Sequence, residues 1–119
     1  MGFIRIAAVF GFLGVALGAF GAHALKQRLT TEMLAIFQTG VLYHFIHALA
    51  LLAVGILIAV RGGSQAYDLA GWAFVIGILI FSGSLYALAA TGVRVLGAIT
   101  PLGGIAFLVG WIALAWTTR

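Results

Sequence analysis

Between Met33 and Val60 the chain carries no Asp, Glu, Lys or Arg. That run is longer than the ~20 apolar residues needed to span the hydrocarbon of a bilayer. A backbone inside lipid must satisfy its own amides, and a helix does so within one segment. The stretch therefore reads as a membrane helix with two unlike ends. Its first half holds Gln38, Thr39, Tyr43, His44 and His47, and its second half is almost purely aliphatic. The other segments can be placed relative to that polar end.

Three more apolar runs flank it, giving approximate spans at 3–24, 34–60, 67–90 and 95–117 within one membrane domain, 1–119. The first carries Arg5 near its start, where it can snorkel to an interface. Arg5 and the Ala22-His23-Ala24 triplet also imitate a signal peptide, but the run is long enough to span and is read as a helix. The third carries Trp72 one turn in, as an interfacial anchor would. Thr100-Pro101 suits an N-cap followed by proline in the first turn of the fourth. Between spans one and two, Leu25, Leu29, Met33, Ile36 and Phe37 share a face. Lys26, Gln27, Arg28, Thr30 and Glu32 fall mostly elsewhere, the pattern of an amphipathic connector at the membrane surface, with Thr31 as a possible helix cap.

Composition excludes the soluble alternative. Charged residues make up 7% of the 119, where a soluble domain carries about a quarter. The expected fold is an all-α integral membrane protein, a small bundle of four transmembrane helices. The six basic residues are scattered at segment ends, which suits headgroups and not nucleic acid. Arg5, Arg61 and Arg119 lie on one side and Lys26, Arg28 and Arg94 on the other, so the positive-inside count ties and no orientation follows. There is no cysteine, hence no disulfide and no thiolate ligand.

Ala7, Gly11, Gly14, Gly18 and Gly21 recur every three or four residues and fall on one face of span one. Such a stripe lets another backbone approach closely and reads as a helix-packing seam. Its partner can lie within the chain or on a second copy.

Antiparallel topology collects the polar side chains. Spans one and three end where two and four begin, so His23, Tyr43, His44, His47, Ser82, Tyr86 and Thr100 belong to one leaflet, with Glu32, Ser84, Thr91 and Arg94 near the same surface. His44 and His47 are three apart and share a helix face. Ionisable groups at that depth face the bundle interior and often carry function. These residues are the candidate ligand-binding set, for a quinone, a lipid headgroup or a metal. No standard metal-ligand spacing is present, and two histidines on one helix face cannot both serve one haem iron. The bland reading is that they bond to neighbouring helices and fix register.

No catalytic residues are assigned. The two acids, Glu32 and Asp68, fall on opposite sides, no acid is placed to orient a histidine base, and no phosphate loop appears. No metal and no cofactor is expected. An oligomeric transporter or channel is a further alternative, though a midplane charge is missing.

The blocks Gly18-Ala-Phe-Gly-Ala-His23-Ala-Leu, Thr39-Gly40 with Tyr43-His44 and His47-Ala-Leu-Ala-Leu51, Phe81-Ser-Gly-Ser-Leu-Tyr86, and Gly97 with Thr100-Pro-Leu-Gly-Gly104 through Phe107 and Gly110-Trp111 resemble the small bacterial membrane-protein family known as domain of unknown function 423. The resemblance implies four helices and a bacterial inner membrane, and it implies no activity. The reading is a non-enzymatic structural or accessory membrane component. Its expected partners are the lipid bilayer and either copies of itself, as a homo-oligomer, or a larger membrane complex.

Overall fold

A computed structural model describes residues 2–117; Arg119, used in the charge count above, lies outside them. Four helices, each long and apolar enough to cross a membrane, account for the described chain: α1 (Gly2–Leu25), α2 (Thr31–Arg61), α3 (Gln65–Thr91) and α4 (Arg94–Trp116). Local chemistry sets their ends. Thr30, in extended conformation, accepts the Met33 N–H on its Oγ1 at 3.1 Å and starts α2. Ser64 does the same for α3 through the Tyr67 N–H at 3.2 Å. Gly62 and Gly92 follow α2 and α3 with φ of 87° and 74°, a backbone that a side chain would strain.

The helices run antiparallel in chain order, with α2 and α3 at the centre and α1 and α4 on the flanks. In α3, 56% of the apolar window is buried, against 22% in α1 and 17% in α4. The bundle is flat, with Cα extents of 47 × 26 × 17 Å. Both flanking helices still reach across. Phe3 of α1 lies against Gly71 of α3, and Trp111 of α4 touches α2.

Close approach is made by glycine facing a larger side chain. Along α3 and α4 the pairs are Phe74 with Gly110, Gly77 with Phe107, and Phe81 with Gly103. In each pair the two residue numbers add to 184, as they do for the hydroxyl pair Ser84 and Thr100. A constant sum means two antiparallel helices held in one register over most of their length. Across α1 and α2, Ile4 with Gly55, Gly14 with Phe45 and Gly18 with Val41 add to 59.

The small-residue stripe of α1 thus meets α2 of the same chain. Ala7 and Gly14 are buried, and a Cβ on Gly14, Gly18 or Gly21 would lie about 3 Å from Phe45, Val41 or Phe37 respectively (2.9, 3.1 and 3.1 Å). Gly11 is the exception: a Cβ there would meet nothing within 4 Å.

Two local expectations, both helix caps, need correction. The amphipathic stretch after α1 is part turn and part the start of α2. Lys26–Thr30 form a turn, and residues 31–37 are the first two turns of α2. The Thr30 cap commits them to the α2 axis, and Phe37, 3% exposed, is buried against Gly21 and Tyr86. The cap itself is Thr30 and not Thr31, because the extended backbone that an N-cap requires falls one residue earlier. Thr100 is not an N-cap: a 3-10 turn at Arg94–Ala98 leads directly into the α-helical part, and Ile99 before it is already helical. The sequence reading also lacks two π-helical turns, Ala16–Gly21 in α1 and Ile78–Ser82 in α3.

Candidate functional site

His44 and His47 of α2 point into the bundle, because α2 is a central helix packed between α1 and α3. His44 is 3% exposed. Its Nε2–H donates to the Phe10 carbonyl of α1 at 2.7 Å, and its Nδ1 is 2.8 Å from the Tyr86 hydroxyl of α3. A carbonyl only accepts, so the Nε2 proton is required; in the neutral ring Nδ1 then accepts from Tyr86. One imidazole therefore ties three helices together. Phe10 also meets it edge-on, ring centroids 5.7 Å apart.

His47, likewise 3% exposed, turns the other way. Its Nδ1–H donates to the Tyr43 carbonyl one turn back at 2.8 Å, and its Nε2 accepts from the Trp111 indole N–H at 3.0 Å. An indole N–H only donates and a carbonyl only accepts, so both partners demand the neutral Nδ1–H tautomer. The Phe107 ring lies parallel to the imidazole, 3.5 Å between centroids and 9° between planes. Tyr43 stacks beyond, with Phe81 beside it. These aromatics fill the gap between α2 and α4.

The hydroxyls complete the set. Ser82 donates to the Gly40 carbonyl of α2 at 2.7 Å, and Ser84 and Thr100 join α3 to α4 at 2.6 Å. The wide π turn of α3 ends at Ser82, and Ser82 and Ser84 serve opposite neighbours, α2 and α4. At the surface, Arg94 holds Glu32 with two bonds, 2.9 and 3.2 Å. This pair links the first turn of α2 to the start of α4, while among the described residues Asp68 and Arg61 form no ion pair.

The candidate residues thus separate. His44, His47, Ser82, Tyr86 and Thr100 are joined through the bundle interior. Tyr43 is partly outside, 38% exposed, and contributes its ring and carbonyl. His23 is not brought to the others: it is exposed at the end of α1 and lines a surface depression with Ala24, Lys26 and Gln27. Sharing a leaflet fixes depth and not lateral position. Trp111 is not among the candidate residues, yet it completes His47. It lies seventeen residues past Arg94 where His47 lies fifteen past Glu32, so counting inward from the paired surface ends places both at one depth.

Among the described residues no buried side-chain nitrogen or oxygen lacks a partner, and no group of three or more His, Asp or Glu is placed to hold a metal. The arrangement fastens helices.

Four apolar antiparallel helices, fastened by a polar network that runs from the Ser84–Thr100 pair to His47 and Trp111 at mid-bundle, define a small all-α integral membrane protein. The chain belongs to the family described as "Protein of unknown function (DUF423)", whose model matches residues 17–104. It is 46% identical over 112 residues to the UPF0382 membrane protein YwdK of Bacillus subtilis, covering 94% of this chain and 91% of that one. It is also 46% identical over 115 residues to a UPF0382 membrane protein of Haemophilus influenzae (96% and 90%), and 42% identical over 118 residues to one of Staphylococcus epidermidis (98% and 93%). No solved structure matches.

Proposed function

We propose that this protein is a non-catalytic structural or accessory unit of the bacterial cell membrane, one that works through its outer surface with lipids, copies of itself or a larger membrane complex. The observation that carries the reading is the closure of the polar network. Both nitrogens of both buried histidines are committed inside the bundle, so the residues best suited to ligand chemistry hold helices together. A bonded polar group in hydrocarbon specifies which helices meet and at what height. The stripe on α1 is used up internally, so association with other chains falls to the lipid-facing sides of α1 and α4.

The test is extraction into lipid nanodiscs, followed by native mass spectrometry and metal analysis of wild type and His44→Ala/His47→Ala. Defined copies or a co-purified protein, with only bilayer lipid bound, support the reading. A stoichiometric quinone or metal that disappears with the histidines would overturn it in favour of a binding site at the polar end.

A further inference from the structure

The opposite end of the bundle holds a feature that the fastening network does not use. The starts of α1 and α3 and the end of α2 enclose a groove of about 290 Å³, lined by Gly2, Phe3, Ile6, Ile58, Asp68 and Trp72. Its walls are apolar except for one carboxylate. Asp68 is exposed, and among the described residues it has no ion pair and no side-chain hydrogen bond. Trp72 meets Phe3 edge-on at 5.4 Å and 74°, yet remains 52% exposed, so indole surface stays open.

We propose that this groove binds a phospholipid whose headgroup ends in an ammonium. The complementarity is threefold. A lone carboxylate matches a single positive charge and offers too few oxygens for a divalent metal ion, which takes six or more. An indole face attracts ammonium groups. Phe3, Ile6 and Ile58 continue from the charged mouth along apolar surface, where an acyl chain lies but a soluble amine has nothing to contact. The position, at the helix ends where Trp and charged residues meet headgroups, is where such a lipid presents both parts. This inference does not rest on the reading of the polar end.

The experiment is competitive lipid retention. The full chain is purified in detergent with equal amounts of ethanolamine- and glycerol-headgroup phospholipids of identical acyl chains, and retained lipid is counted by native mass spectrometry. Wild type is expected to retain the ethanolamine lipid about fivefold over the other, a ratio equal to about 1 kcal/mol. Asp68→Asn should bring the ratio to unity, Trp72→Leu should lower it, and Asp68→Glu should keep most of it. Glu32→Gln, at the far surface, should leave it unchanged. Equal retention by wild type, or a preference that survives Asp68→Asn, overturns the proposal. Displacement of the lipid by millimolar free ethanolamine would also overturn it, pointing to a soluble amine. Asp68 is exposed, so these variants keep the fold, and circular dichroism checks that they do.

Discussion

Trp111 determines which nitrogen of His47 carries the proton. Its indole N–H can only donate, so Nε2 must be bare and the proton sits on Nδ1, donated to Tyr43 O. A polar pair of this kind in a membrane bundle is worth about 1 kcal/mol. Trp111→Phe should therefore cost about 1 kcal/mol in SDS-driven unfolding from mixed micelles. In a double-mutant cycle with His47→Phe most of that cost should appear as coupling. Strictly additive losses would show that the bond contributes nothing.

His44 holds more of the structure than its partner Tyr86. Removing the Tyr86 hydroxyl leaves the bond to Phe10 intact, whereas removing the imidazole breaks both bonds and empties a buried site. Tyr86→Phe should cost about 1 kcal/mol. His44→Ala should cost about 2–4 kcal/mol, within the range for emptied core positions. The same unfolding assay ranks them, and an equal loss for both would mean that the Phe10 bond carries no weight.

Two glycines should respond in opposite ways to one methyl group. A Cβ on Gly103 would collide with the Phe81 backbone nitrogen and lie 2.7 Å from its Cα, and backbone cannot step aside as a side chain can. Gly103→Ala should cost about 2 kcal/mol or more. At Gly11 nothing stands within 4 Å, so Gly11→Ala should be neutral or stabilise by up to about 1 kcal/mol through helix propensity. Thermal midpoints in one detergent decide it, and similar losses at both sites would contradict the register of α3 on α4.

The Glu32–Arg94 pair is bidentate, but its side chains are 59% and 68% exposed. Water and salt screen such a pair. Glu32→Gln should leave the melting midpoint within experimental scatter, and any small loss should vanish in high salt. A clear salt-independent drop would mark the pair as a structural latch.

The helices were legible because hydrocarbon leaves the backbone few choices. A charge-free run such as Met33–Val60 states its conformation. Lateral arrangement was harder, since a lipid-facing Leu108 and a core-facing Leu51 look alike when both surroundings are apolar. The glycine stripe announced a contact without its partner, and only the register shows α2 there. In retrospect α3 and α4 carry a readable code: Phe74 and Phe81 are seven apart, as are Gly103 and Gly110, and they meet in opposite order.

At the candidate site, topology pointed His44, His47, Ser82, Tyr86 and Thr100 toward one another and could go no further. His44 and His47 share a face of α2 but serve different helices, because that face looks onto the junction of all the others. Two acceptors, the carbonyls of Phe10 and Gly40, belong to the backbone and leave no mark in a sequence. The π turns leave almost none either beyond glycines in or beside them, Gly18 and Gly21 in α1 and Gly77 and Gly83 in α3.

Fastening at one end has a consequence for how the molecule answers its surroundings. Acyl chains cannot offer a histidine or serine a substitute bond, so the polar end is indifferent to which lipids surround it. Toward the other end the contacts described are mainly apolar, such as Phe3 against Gly71 and Trp72, and there hydrocarbon from the bilayer competes with the protein's own side chains. The bundle resembles a clothes-peg whose spring is the histidine layer at mid-bundle. Membrane thickness and lipid saturation would be felt first at the jaws, where α1, α2 and α3 open around Asp68.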